Sequence, residues 1–152
     1  QLHRRHGMPI VCSLHPRTRS RLEALGITAG AGLQFAAPFG FADFLHLEQH
    51  AFCTLSDSGT VQEEACLLGV PNVTIRDVTE RPETIECGSN ILSGATPNGV
   101  LSAVAIATGP GRRWVPPAEY LRADVASTVA RIVLGQHLPD LAELEWREGL
   151  RH

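Results

Sequence analysis

The sequence lacks the short motifs that mark several common enzyme classes. It contains no Walker lysine, no GxGxxG fingerprint, no Ser-His-Asp order and no zinc-ligand spacing. It also offers no convincing pair of opposed acids and bases for proton transfer. These absences disfavour P-loop NTPases, dinucleotide-binding dehydrogenases, triad hydrolases and zinc enzymes, and we predict no metal site.

Long apolar runs and an excess of basic residues are also missing. The net charge of −3 gives no sign of a nucleic-acid or membrane partner. The longest apolar runs, such as the one from Val100 to Thr108, are too short to cross a bilayer. Gln1–Arg5 is not followed by the apolar core of a signal peptide. We therefore predict a protein that binds neither nucleic acid nor membranes.

The few cysteines show no pairing pattern. Cys12, Cys53, Cys66 and Cys87 form neither a CxxC pair nor a metal-finger spacing. Cys12 and Cys53 lie in strand-like runs, where a free thiol behaves as a small hydrophobe. We interpret all four as reduced residues of a cytoplasmic protein.

What the sequence does contain is typical of an α/β domain. Its 152 residues, 43% hydrophobic and 19% charged, suit one folded domain that buries about 70% of its unfolded surface. Short apolar runs alternate with helical patterns, which indicates βαβ units and a parallel sheet. The absence of an initiating Met suggests a piece of a longer protein. The predicted strands are Met8–Leu14, Gly32–Phe35, Ala51–Leu55, Asn72–Ile75 and Asn90–Leu92.

Helical patterns fill the segments between these strands and beyond them. The last clear helix is predicted over about 120–134, with a buried apolar stripe. The tail over 136–152 is less certain. The other helices are predicted near 17–25, 41–50, 60–68 and 97–108, with a short one ending at Gly88, and the stripe comprises Leu121, Val125, Val129, Ile132 and Val133.

The segment from Thr54 to Ala65 reads as a strand, a turn of small residues and a helix start. A helix start leaves backbone N–H groups unpaired and carries partial positive charge. Since Ser58, Gly59 and Thr60 leave these donors accessible, we predict a phosphate site, at the sheet edge where ligands bind in open α/β folds. The alternative is a capping box, in which Thr60 and Glu63 merely cap the helix. Capping does not account for Glu64, a candidate acceptor for ligand hydroxyls.

Three other positions are candidates for the same edge. Arg81 follows the next strand, and its guanidinium could contact a phosphate or a carboxylate such as Glu64, or remain a solvated loop charge. His15 follows the first strand and could contact a ligand or be only structural. The aromatic rings of Phe39, Phe41 and Phe44 are most simply packing residues, although one could form an apolar wall for a base.

Three segments, Ser56–Glu64, Gly69–Pro71 and Arg76–Glu83, resemble the C-terminal half of the non-hydrolysing UDP-N-acetylglucosamine 2-epimerases in composition, order and separation. The resemblance implies a Rossmann-like parallel sheet flanked by helices, as the second domain of a GT-B-type two-domain architecture. Residues 1–152 would be a single truncated C-terminal UDP-binding domain, with a C-terminal helix at about 120–135. The missing N-terminal domain would then be its partner, in an enzyme that is commonly a homodimer.

The resemblance also implies roles for individual residues. Ser58, Gly59 and Thr60 would bind the diphosphate, and Arg81 would support its phosphate end. Glu64 would accept hydrogen bonds from the ribose hydroxyls. Phe44, with the backbone near Phe39, would line the uracil pocket. His15 matches a histidine that the family links to a regulatory sugar-nucleotide site.

The family's reaction inverts C2 of a UDP-amino sugar by eliminating UDP and adding it back, without a metal or redox cofactor. The catalytic acid and base would lie in the missing half, so the chain alone is expected to be inactive. Most members have two glycines after the serine, whereas Gly59 is followed here by Thr60. That variant resembles capsule and O-antigen branches, some of which act on 6-deoxy-L-amino-sugar nucleotides. Which sugar is used therefore stays open.

Two other functions fit the same residues. A UDP-sugar glycosyltransferase shares the architecture and the Glu63–Glu64 helix, although the Arg76–Glu83 loop favours the epimerase. A non-catalytic nucleotide-binding module is a third possibility. A preceding domain with a carboxylate-rich cleft would distinguish an enzyme from such a module.

Overall fold

Two short parallel sheets form the framework of the chain, in a computed structural model that describes residues 1–135. The strands are β1 (Ile10–Ser13), β2 (Leu33–Ala36), β3 (Thr54–Ser56), β4 (Asn72–Thr74) and β5 (Asn90–Leu92). In the first sheet β1 pairs with β2, and Ile10 lies opposite Leu33. The second sheet has the order β3-β4-β5.

Each predicted strand is observed, and all the pairs are parallel as expected. The expectation of one continuous sheet is not met, because no ladder of hydrogen bonds joins the two sheets within residues 1–135. Apolar runs indicate where strands form, but they do not specify which neighbours will pair. The predicted α/β class is nevertheless confirmed.

Helices connect the strands, as parallel pairing requires. Pro16, Pro82 and Pro97 each open a helix, at a position where the missing N–H has no intrahelical partner to lose. Gly69 ends a helix in the left-handed conformation, with φ of 73°, which glycine adopts without steric strain. The helices are α1 (Leu2–His6), α2 (Pro16–Ala24), α3 (Phe41–Gln49), α4 (Gly59–Leu68), α5 (Pro82–Glu86) and α6 (Pro97–Ala107).

The chain divides into two compact units. The first, Gln1–Pro117, contains all five strands. The second begins with a 3₁₀ turn over Ala118–Leu121 and continues into a helix, α7, over 125–135. The predicted last helix therefore starts later than Tyr120, and the predicted tail over 136–152 lies outside the described residues. In the described part of the chain, no helix has the length and apolar character needed to span a bilayer.

The apolar stripe of α7, which we expected to be buried, is exposed. Val125 is 52% exposed and Ile132 is 55% exposed, Val129 and Val133 are similar, and Leu121 lies in the preceding 3₁₀ turn and is exposed as well. Helical periodicity identifies the apolar face of a helix, but it does not supply a surface that covers this face. The prediction of a buried stripe is wrong for the described residues.

The apolar core lies where α6 packs on β4. Val73, from the central strand of the three-stranded sheet, is fully buried. The facing residues Ala103, Val104 and Ala107 are at most 4% exposed. Val73 and these three residues therefore form the centre of the apolar core.

A ladder of polar side chains crosses the three-stranded sheet beside this core. Thr54, Asn72 and Asn90 open the three strands and lie in register with one another. Thr54 Oγ1 donates to Asn72 Oδ1 over 2.8 Å, and Asn72 Nδ2 donates to Asn90 Oδ1 over 2.8 Å. Both asparagines are at most 2% exposed. Buried amides are tolerated only when hydrogen-bonded, so these bonds are a condition of the fold.

We predict that Asn72→Ala lowers the free energy of unfolding by about 1–3 kcal/mol, because buried partners such as Asn90 lose a hydrogen bond. Urea denaturation of the variant and the parent chain measures the difference. Asn98→Ala is the matched control, since Asn98 is exposed on α6 and its change should stay within about 0.5 kcal/mol. Equal effects of the two substitutions would contradict a structural role for the ladder.

Candidate functional site

The turn after β3 leads directly into α4, as predicted. Ser58 is the N-cap residue, in an extended conformation with φ of −86°, but its side chain makes no capping bond. Its Oγ lies 3.0 Å from Thr60 Oγ1 instead, and its N–H donates to Ser56 Oγ over 3.0 Å. The hydroxyls of this turn therefore bond to one another and leave the helix start uncapped.

The first backbone amides of α4 are open. Within residues 1–135, the N–H groups of Gly59, Thr60 and Val61 donate to no protein acceptor. The capping-box alternative does not hold, because Ser58 is the N-cap and Thr60 lies inside the helix, and no side chain of the described residues caps the helix start. Uncapped donors at the positive end of a helix are suited to an anion.

Arg81 brings a positive charge to this helix start. The position that a Cβ on Gly59 would occupy lies 3.6 Å from Arg81 Cζ, so the guanidinium lies against the glycine backbone. Arg81 Nε donates to Glu63 Oε1 in a half-exposed ion pair. Arg81 thus holds a carboxylate, that of Glu63, which is the neighbour of the predicted candidate Glu64. The open amides and the guanidinium together form one surface of hydrogen-bond donors, on which Glu63 balances the charge of Arg81.

Gln62 ties this surface to the sheet. Its Nε2 donates to the Ser58 carbonyl over 3.3 Å, and its side chain is fully buried. Its Oε1 accepts from Thr79 Oγ1 over 2.6 Å and from Asn90 Nδ2 over 2.9 Å. Thr79 Oγ1 in turn accepts the Arg81 N–H over 3.0 Å. One side chain thus connects the turn, the arginine loop and the polar ladder.

Sequence reasoning missed this role of Gln62 and the ladder behind it. A usable signal was present, because polar residues open three successive strands at intervals of 18 residues. When parallel strands are joined by helices, such regular spacing is consistent with the first residues of neighbouring strands lying side by side.

Glu48 is an acidic residue of α3 that is only 3% exposed. Among the described residues, neither oxygen of its carboxyl has a hydrogen-bond partner. Burial, and secondarily the nearby carboxyl of Glu64 on α4, raise the pKa of Glu48 from 4.5 to about 7. Glu48 is therefore neutral in weak acid and about half ionised near neutrality.

The remaining predicted site residues have less specific surroundings. His15 is exposed and caps α2, since its Nδ1 accepts the Arg17 N–H over 3.2 Å. Of the two predicted roles, a ligand contact or a structural residue, this bond corresponds to the structural one. Phe44 is half-buried on α3, one turn before Glu48 and thus on the same helix face. Phe41 is 73% exposed, so its interpretation as a packing residue is wrong.

The cysteines near the site are free thiols. Cys66 Sγ lies 3.8 Å from Cys87 Sγ, and the two residues form no disulfide. Burial raises the pKa of Cys66. Burial also raises the pKa of Cys53 to about 11. No cluster of three or more His, Cys, Asp or Glu side chains suited to a metal ion occurs in the described part of the chain.

The sequence of nearly the whole described region matches one family model, that of UDP-N-acetylglucosamine 2-epimerase, over residues 1–134. The chain belongs to this family. It is 44% identical over 112 residues to the UDP-N-acetylglucosamine 2-epimerase of Methanocaldococcus jannaschii, which covers 71% of this chain and 31% of that protein. It is 40% identical over 101 residues to the UDP-2,3-diacetamido-2,3-dideoxy-D-glucuronate 2-epimerase of Pseudomonas aeruginosa, covering 66% of this chain and 28% of that one.

Solved structures of family members share the fold. The crystal structure of the Methanocaldococcus jannaschii 2-epimerase in complex with UDP-GlcNAc and UDP matches 88% of this chain with a TM-score of 0.79 and 37% identity. The match covers 37% of that structure. The chain thus spans about a third of the length of the curated relatives, and the predicted family and Rossmann-like domain are confirmed.

The Glu48 environment predicts a pH-dependent stability. Between pH 4.5 and about 7 the folded protein keeps a proton that the unfolded chain has released, so the free energy of unfolding falls as pH rises through this window. Glu48→Gln removes that proton, so its stability relative to the parent should rise by roughly 2–3 kcal/mol from pH 4.5 to pH 8. Urea denaturation at several pH values measures this difference. A difference that stays constant with pH would contradict the buried neutral carboxyl.

Proposed function

We propose that this chain is the C-terminal UDP-binding domain of a UDP-N-acetylglucosamine 2-epimerase-like enzyme. The observation that carries the proposal is the trio of open amides at residues 59–61 beside Arg81, in a chain that matches a 2-epimerase structure containing UDP-GlcNAc and UDP. A diphosphate supplies the oxygens and the negative charge that such a surface lacks.

In this proposal the ligand lies across α4 and towards α3. The diphosphate accepts hydrogen bonds from the amides and hydroxyls of Ser58, Gly59 and Thr60, and Arg81 supports its phosphate end. Glu64, which lies further along α4 towards α3, accepts from the ribose hydroxyls. Phe44 is half-buried on α3, the helix that packs against α4, and in this proposal it lines the uracil pocket.

The proposed reaction inverts C2 of a UDP-amino sugar by removing UDP to give a glycal and adding it back after the proton returns. The acid and base would come from the N-terminal domain, so this chain alone should bind nucleotide and not turn it over. The intact enzyme would be a homodimer that serves surface polysaccharide synthesis. The four free thiols fit a reducing compartment such as the cytoplasm. A regulatory role for His15 belongs to the same proposal.

The sugar is the least constrained part of the ligand. Relatives named for UDP-N-acetylglucosamine and for a diacetamido-glucuronate match 71% and 66% of this chain. The proposal therefore specifies a UDP-linked amino sugar and leaves its substituents beyond C2 to experiment.

The binding proposal predicts that UDP shifts the backbone amide resonances of residues 58–61 in an NMR titration of the 152-residue chain. Glu64→Ala should weaken binding by about tenfold or more, since it removes a charged acceptor of the ribose hydroxyls. Glu23→Ala, at an exposed position on α2, is the control and should bind like the parent. Unshifted amides, or equal affinity of the two variants, would contradict the assignment.

The reaction proposal predicts that the intact enzyme inverts UDP-amino sugars at C2 in D₂O and incorporates deuterium there. Proton NMR of the product mixture from a panel of UDP-amino sugars measures both events. Sugar transfer to an acceptor without exchange at C2 would favour the glycosyltransferase alternative.

A further inference from the structure

Two cysteines that the proposed UDP site does not use have side chains next to each other. Cys66 belongs to the buried face of α4 and is fully buried, whereas Cys87 ends α5 and is half-buried. Their sulfur atoms lie 3.8 Å apart, although the residues are 21 positions apart in the sequence. Burial alone requires only that a thiol pack as a small hydrophobe, so it does not explain why two of them meet.

Both thiols are held where they meet. The Cys66 carbonyl accepts the Nε1–H of Trp114 over 3.0 Å. Cys87 Sγ lies 3.5 Å from the Thr84 carbonyl oxygen and 3.4 Å from Ser89 Oγ, which are two acceptors for its S–H. The helices α4 and α5 also contact each other. Since a disulfide places its sulfurs about 2 Å apart, the pair must approach by about 2 Å, which rotation of a thiol about its Cα–Cβ bond can supply.

We propose that Cys66 and Cys87 form a redox modification site, at which hydrogen peroxide converts the two thiols into a disulfide that joins α4 to α5. Of the pair, Cys87 is the more accessible and meets the oxidant first. Burial raises the pKa of Cys66, so Cys66 is the thiol that reacts second. The inference goes beyond the proposed function, because it concerns the C-terminal ends of α4 and α5 and not the open amides.

The oxidation takes place in two steps. The Cys87 thiolate attacks one oxygen of the peroxide, the O–O bond breaks, and the released hydroxide takes up a proton to become water, which leaves a sulfenic acid on Cys87. The Cys66 sulfur then attacks the Cys87 sulfur. The S–S bond forms, the S–O bond breaks, and the departing hydroxide takes the proton of Cys66. In total the two thiols lose two electrons and two protons, and one peroxide becomes two waters.

The disulfide closes the segment over 66–87 into a loop, which restricts the unfolded chain and so favours the folded state. The start of α5 is fixed independently, because Thr84 Oγ1 donates to the Arg81 carbonyl over 2.8 Å and accepts from Asn90 Nδ2 over 3.1 Å. The link at Cys87 therefore leaves the Arg81 end of α5 in place. In a reducing compartment the link is temporary, since thiols reverse it by exchange.

Peptide mapping of the peroxide-treated 152-residue chain tests the proposal. After free thiols are blocked with iodoacetamide, trypsin and a glutamate-specific protease separate Cys66 from Cys53 and Cys87, because Glu64 and Arg76 lie between them. We expect one main linked product, in which the Cys66 peptide is joined to the Cys87 peptide and dithiothreitol separates the two. Peroxide that leaves both thiols free, or that carries Cys87 on to a sulfinic acid without a link, would overturn the proposal.

The same treatment in concentrated urea is the control for folding. In the unfolded chain other pairings, such as Cys53 with Cys66, should appear as well, so a preference for the link between Cys66 and Cys87 must come from the folded structure. Cys87→Ser should abolish the link, and Cys12→Ser, which changes a cysteine on β1, should retain it. Equal yields of all pairings in the folded and the unfolded chain would contradict the proposed geometry.

Urea denaturation measures what the link does to the fold. Oxidation should raise the denaturation midpoint of the parent by about 1 M, because the disulfide constrains the unfolded chain. The midpoint of Cys87→Ser should not rise with peroxide, and dithiothreitol should return the parent to its original midpoint. A linked parent whose midpoint is unchanged or lower would show that the fold does not accept the bond, and the proposal would fail.

Discussion

Amide side chains inside a small sheet are tolerable only when each donor and acceptor finds a partner, and this constraint organises the three-stranded sheet and the turn before α4. Asn72, Asn90 and Gln62 satisfy one another together with neighbouring threonines, and Gln62 extends the set to the Ser58 carbonyl. The turn with the open amides is thereby fixed to the sheet. Donors that are held in place before a ligand arrives need no further ordering to bind it.

Two glutamates that are adjacent in the sequence are given different environments by the helix. Successive residues of an α-helix point about 100° apart, so Glu63 reaches the arginine loop while Glu64 reaches α3. The first pairs with Arg81 beside the open amides of α4. The second lies near the buried Glu48 of α3. A single acidic dipeptide thus contributes to two different environments.

The sequence allowed much of the local structure to be predicted, for identifiable reasons. Prolines at helix starts, a glycine such as Gly69 at a helix end and apolar runs between them mark the elements. Contacts between side chains that are distant in the sequence were harder to predict. Arg81 lies beside Gly59 and pairs with Glu63, a partner that the sequence does not specify because the choice between adjacent acids depends on side-chain direction. The burial of Glu48 was not predicted because a glutamate is ordinarily solvated, although Glu48 lies one turn after Phe44 on a largely apolar helix.

The buried amides also restrict how relatives of this protein can diverge. Each of Asn72, Asn90 and Gln62 donates and accepts at once, so replacing one of them leaves an unsatisfied group on another. An apolar position such as Val73 can instead drift through substitutions of similar volume. Substitutions at the three amide positions should therefore appear together in evolution, as a linked set inherited or exchanged as a whole.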